Sequence, residues 1–363
     1  MKTYTGVGNR AINKYTSLDL VKFAFVMAFN GYQHRGGVQV GSDLSFHFGA
    51  LFACEVLRGK GYEVTEKMFT IGFVPWFPFN GFDRSCSWAE LGVSKGAFEI
   101  AERYHPNYAN LTSASKKLMA RNAPQVLGEN LANDEASKML VAYTSDGAEK
   151  FTTSKTGGTA QAIRMAIDLS IPVRNLGNPL THKQVMAWVE GQLDNIDYQY
   201  DLDSRNFIDH KIASTKPSNA HWVRGDIAKH FQSGEYAAVL HCLNCQGKHG
   251  SGVAKALTQA YPGLSEVVAK KGRGKKLLGE YSCLNTDVGV IYNLYGQEFY
   301  GRDKKAVYLD YQALDRSLKK VAPFLRGKKV LIPMIGSGTA NGCWLSISQI
   351  LSQYTTIDFY IVR

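Results

Sequence analysis

Several features are scarce or missing in this sequence, and each absence closes off a class of function. No apolar run approaches the ~20 residues that a membrane-spanning helix needs, so no membrane partner is expected. The opening residues, MKTYTGVGNR, lack the apolar core of a secretory signal. Only 6 cysteines occur among 363 residues, too sparse for a disulfide framework. Reduced thiols and a cytoplasmic setting are the expectation. Cys242 and Cys245 have a zinc-type spacing, but no second pair completes a ligand set. They are read as packing residues, and neither metal nor cofactor is expected. Tandem repeats and low-complexity tracts are also missing.

What remains is an ordinary globular composition, 45% hydrophobic and 20% charged. The length is comfortable for two domains. The net charge is +11, and part of the excess sits in KKGRGKK (Lys270 to Lys276) and RGKK (Arg326 to Lys329). Such patches suit phosphate-bearing partners, nucleotide or nucleic acid. Aromatic residues are not interleaved with these charges, so a base-stacking platform is not indicated and nucleic acid is not favoured.

Strand-like and helix-like stretches alternate through both halves, which predicts an α/β fold with two domains, each a mainly parallel sheet flanked by helices. A polar, acidic stretch after the helical pattern HKQVMAWVEGQL marks a connection. The expected division is residues 1–182, a helical and polar linker over 183–218, and residues 219–363. Ligands of such sheets sit at the carboxyl ends of the strands, and the glycine-rich turns of both halves fall at that edge.

In the second half the strand-like YAAVLHCLN (Tyr236 to Asn244) runs into GKHGSG (Gly247 to Gly252) and then a helix. A second turn, GSGTA (Gly336 to Ala340), follows a later strand. With GDI at Asp226, these blocks resemble a macro domain, most closely the ADP-ribose 1''-phosphate phosphatase branch, which is also found in phages. The resemblance implies an ADP-ribose-derived ligand, and the host cytoplasm as the setting for a phage protein. Backbone N–H groups of Gly250, Ser251, Gly252 and Val253, and of Gly336, Ser337, Gly338 and Thr339, would surround its diphosphate. Asp226 and Ile227 would meet adenine, Tyr360 would flank it, and Asn244 and Gln246 would meet the distal ribose. His241 and His249 are the implied proton carriers. Asp226 can equally cap a helix, and Tyr360 or His241 can equally be core. The branch that removes ADP-ribose from glutamate uses a lysine and a loop aspartate. Lys304 and Lys305 offer the lysine, but Ala340 stands at the aspartate position.

The first half carries YTGVGNR, RGGVQVGSD and KTGGTAQA. These resemble the SLOG-type Rossmann-like superfamily that joins the DNA-processing protein fold to the lonely-guy phosphoribohydrolases. Gly6, Gly8 and Arg10 would form one turn, Gly36, Gly37, Gly41 and Asp43 a second, and Gly157, Gly158 and Thr159 a third that opens a helix. A second NAD-derived nucleotide is the implied ligand. Ala162 stands where the hydrolases carry glutamate, which favours binding over N-glycosidic cleavage.

Overall fold

The computed structural model describes all 363 residues. They divide into two compact units, Met1–Ile12 with Thr16–Ala213, and Asn13–Tyr15 with Ser214–Arg363.

The first unit is a six-stranded parallel sheet built from β1 (Lys2–Gly8), β2 (Tyr32–Gly37), β3 (Thr70–Val74), β4 (Ala89–Leu91), β5 (Leu140–Tyr143) and β6 (Val173–Asn175). Its order is β4-β3-β2-β1-β5-β6, so the direction of winding reverses between β1 and β5. Side chains alternate across β1. Tyr4 packs on Phe23 of α1 (Lys14–Phe29) and Phe46 of α2 (Ser42–Gly59). Val7 points to the other face, in a cluster with α3 (Lys95–Tyr104), α4 (Ser113–Ala120), α5 (Asn122–Leu127) and α6 (Ala160–Asp168).

The stretch expected as a helical and polar linker is largely helical, with residues 183–213 in the first unit and 214–218 in the second. Asn178 caps α7 (Pro179–Tyr200) by accepting from Leu180 and Thr181, and Asp201, with φ 47°, ends it. α8 (Ser204–Ser214) is tied back to α7 by Arg205, which reaches Glu190, Asp194 and Asp197. The polar, acidic composition that suggested a connection is the solvent face of these helices. Val189, Leu193, Ile196 and Ile208 form their buried side.

The second unit holds β7 (Ala220–Val223), β8 (Ala238–Asn244), β9 (Tyr281–Asn285), β10 (Val290–Gln297), β11 (Lys329–Pro333) and β12 (Asp358–Val362) in the order β7-β12-β11-β8-β10-β9. All neighbours are parallel except β9, which runs antiparallel to β10. Val239 and Leu243 face α9 (Ile227–Gln232), α10 (Gly252–Ala260) and α11 (Gly263–Lys271). α12 (Tyr311–Leu325) packs on β10, and α13 (Trp344–Leu351) packs on α12. Both units are therefore α/β layers of the expected class.

Candidate functional sites

In the second unit β8 and β11 are adjacent, so the two glycine turns leave the sheet side by side at its carboxyl edge. Asn244 shapes the first turn itself. Its amide donates to the Lys248 carbonyl at 2.9 Å and accepts from the Lys248 N–H at 3.1 Å. Gln246 donates to the Glu298 carbonyl at 3.2 Å. Both side chains thus hold the loop open instead of projecting from it. From His249 through Ala254 no main-chain N–H has an acceptor within the chain. The Ser251 side chain, at the helix cap position, leaves them free as well. A Cβ on Gly250 or Gly252 would meet nothing within 4 Å, and Gly252 has φ 57°, the left-handed region where glycine is favoured. A row of donors at the head of a nine-residue helix, over open space, has the chemistry to accept an anion.

The second turn adds to it. The N–H groups of Gly338 and Thr339 also lack acceptors, and Gly338 faces open space. Gly336 has φ 73° and packs on Leu309, while Ser337 spends its hydroxyl on the Met334 carbonyl at 2.7 Å.

The two histidines differ. His241 shares its face of β8 with Val239 and Leu243, is 1% exposed, and its Nε2 lies 2.6 Å from Asn293 Oδ1 on the paired strand. Asn293 donates onward to Ser282 at 3.0 Å. Burial pulls the His241 pKa down to about 4, against the bond to Asn293. His249 lies in the loop itself, half-buried, and burial lowers its pKa too. Its Nδ1 is buried without a partner. Cys242 and Cys245 have thiols that burial raises to about 11, as inert packing residues would.

Each of the three adenine candidates also has contacts within the chain. Asp226 caps α9 by accepting from Lys229 N–H at 3.0 Å, the capping alternative. Ile227, the first residue of that helix, is buried in the core. Tyr360 stacks on His221, with centroids 4.9 Å apart, and meets Tyr236 edge-on at 5.1 Å. It pairs in register with Leu331, itself level with Val239, well before β8 reaches its carboxyl end. The ring therefore belongs to a mid-sheet aromatic group, away from the loops.

In the first unit a cleft of about 370 Å³ opens where the winding reverses. Of the expected residues it gathers Gly8, Arg10, Asp43, Gly158 and Thr159. Arg121 crosses its wall, 5% exposed, donating to the Phe73 carbonyl at 3.1 Å and standing 3.9 Å from Asp43. Gly8 N–H donates to Asp43 at 3.3 Å. Burial raises the Asp43 pKa against the pull of Arg121 and lowers Arg121 to about 10. A chain of amides continues the wall: Gln125 donates to Asn122, and Asn122 donates to Gln161, each at 3.3 Å. Arg121 Nε and Gln125 Oε1 are buried without partners.

The remaining glycines answer to crowding inside the chain or to a positive φ. A Cβ on Gly6 or Gly36 would come within 2.7 Å of the His34 ring, and one on Gly37 would lie 1.9 Å from Arg121. Gly41, at φ 97°, starts α2 against the Arg10 carbonyl. Gly157, at φ 64°, lets the last turn bend into α6.

Compared with profiles of known protein families, the chain matches none. It is 30% identical over 145 residues to an uncharacterized 17.5 kDa protein from the tk–vs intergenic region of Enterobacteria phage T4, covering 37% of this chain and 89% of that protein. The chain belongs to the family of that phage protein. Similar solved structures include a protein of unknown function from Bacteroides thetaiotaomicron, at 23% identity, TM-score 0.34, 39% of this chain and 96% of that one. The macrodomain of Mycobacterium tuberculosis DarG is 18% identical with TM-score 0.32, over 39% of this chain and 96% of that one. Thermosipho africanus DarTG, in complex with ADP-ribose, is 14% identical with TM-score 0.31, over 47% of this chain and 50% of that one.

Sequence reading missed Arg121, Asn122 and Gln125 in the first unit and Asn293 in the second. The only signal for the first three was a polar cluster, ARNAPQVLG, set among small apolar residues. Asn293 had none, because its role exists only once β10 is paired with β8.

Proposed function

We propose that the second unit binds ADP-ribose or a derivative of it, and that ADP-ribose 1''-phosphate is its substrate. One observation carries the reading: acceptor-free N–H groups from His249 through Ala254 beside those of Gly338 and Thr339. Paired loops of this kind suit a diphosphate, whose two groups each need several donors. His249 is the group in position for proton transfer, since its ring lies in the donor loop and is neutral near pH 7. It would take a proton from water as the water oxygen bonds to phosphorus, and would pass that same proton to the ribose oxygen as the bond from phosphorus to it breaks, leaving free phosphate and the ribose hydroxyl. The developing charge on phosphate would be met by the main-chain donors.

The burial of His241 and its tie to Asn293 favour a second reading, in which the unit binds the nucleotide without turning it over. For the first unit we infer a second phosphate-bearing nucleotide at the cleft of Arg10, Asp43 and Arg121. The unpartnered Arg121 Nε supports this.

The test is calorimetric titration with ADP-ribose, followed by phosphate release from ADP-ribose 1''-phosphate. Micromolar binding that Gly252→Glu abolishes is expected, with turnover lost in His249→Ala and retained in His241→Asn. Binding without turnover selects the second reading. Absence of binding to the intact protein would overturn both.

A further inference from the structure

The first unit has a second cavity, of about 510 Å³, on the sheet face opposite the cleft. It lies between α1, α7 and the strands. Phe23 and Met27 line it from α1, Val185 and Trp188 from α7, and Met139 and Val141 from β5 and its approach. Trp188 packs on Phe23, with centroids 6.4 Å apart, yet remains 42% exposed, so part of a large apolar ring is left open. Volume and lining fall in the range of small-ligand pockets.

Charge sets the chemistry. Lys2 and Arg174 stand in the wall, and no aspartate or glutamate does. Lys2 lies 5.6 Å from the Tyr32 ring centroid, and neither cation has a carboxylate partner. Two unneutralised cations above an apolar floor match a molecule with one anionic end and one apolar end. The wall contains no glycine and no row of free N–H groups, which sets it apart from a phosphate cradle.

We propose that this cavity binds a small amphipathic organic anion. Its ring or chain lies against Met27, Val185 and Trp188, and its carboxylate or sulfonate meets the cationic wall at Lys2 or Arg174.

The test uses the full chain and fluorescence titration with 8-anilinonaphthalene-1-sulfonate. One probe per chain is expected, not displaced by ADP-ribose. Reversing both charges (Lys2→Glu with Arg174→Glu) should weaken binding at least tenfold, and Val185→Trp, which fills the space, should abolish it. Lys2 and Arg174 lie at the surface, so the charge-reversed protein keeps its fold and decides the matter if Val185→Trp does not fold. Displacement by 1-naphthoate identifies an aryl acid as the natural class, and displacement by decanoate an aliphatic one. Failure of both to displace the probe, unchanged affinity after charge reversal, or equal binding of the neutral N-phenyl-1-naphthylamine would overturn the proposal.

Discussion

Arg121 shows how a single side chain can set the character of a site. Its guanidinium is almost wholly buried beside an equally buried Asp43, and a Cβ on Gly37 would collide with it. Removing one partner of such a pair strands the other charge in low dielectric. Arg121→Met should therefore lower stability by about 3 kcal/mol, as breaking a buried pair does. The double variant with Asp43→Asn should lose much less than the two single losses added together. Urea unfolding of the three variants measures this, and simple additivity would show that the pair is not coupled. None of this could be read from the residue string. Arg121 lies far along the chain from Asp43, and nothing in its neighbours distinguishes a wall arginine from a solvated one. The glycines were visible, but their reasons were not: Gly6 and Gly36 make room for His34, and Gly250 and Gly252 make room for nothing in the protein.

Among the elements, the turns were the most legible. Glycine-bearing turns between a strand-like and a helix-like stretch announced both sheets, because glycine and apolar periodicity are local signals. Height along a strand is not local. Alternation along DFYIV tells which residues share a face, but only the pairing of Tyr360 with His221 and Leu331 shows how far its ring lies from the loops. The loop before α6 shows the same limit. Asp146 accepts from the hydroxyls of Thr144, Thr153 and Thr156 at 2.7, 2.6 and 2.5 Å, fixing the turn that carries Gly157 and Gly158. Burial works to raise its pKa, and the threonine bonds outweigh that and bring it to about 2. Asp146→Asn should destabilise the protein by about 1 kcal/mol after discounting for solvent screening, or about 2–4 °C in Tm. The loss should shrink as pH falls from about 4 toward 2, as the native carboxylate becomes protonated too. A calorimetric comparison at pH 7 and pH 2 checks both statements.

Acid response belongs to the whole molecule, because each unit buries histidine in neutral form. In the first unit His34 and His47 share the Thr70 hydroxyl, at 2.9 and 2.6 Å, and their Nε2 atoms face the carbonyls of Gly6 and Gly37. Burial takes the His34 pKa down to about 3 and lowers His47 as well. In the second unit His241 is held at about 4. Unfolded histidines titrate near 6.5. Between that value and the native ones, the unfolded chain binds protons that the folded chain refuses, so stability falls as pH drops. It is fully present above about pH 6.5 and is lost progressively toward pH 4 for His241 and pH 3 for His34. For His241 alone the loss amounts to about 3 kcal/mol. Tm should therefore be flat from pH 7 to 8 and fall steeply from pH 6 to 4, beyond what carboxylate protonation explains at the upper end of that window. Gln keeps a side-chain donor for Asn293 and cannot titrate. His241→Gln should thus cost some stability at pH 7.5 while removing one proton from the slope below pH 6.5. A variant whose slope matches the parent's would show that His241 is already solvated in the native protein, and the case for it as a neutral core histidine would fail.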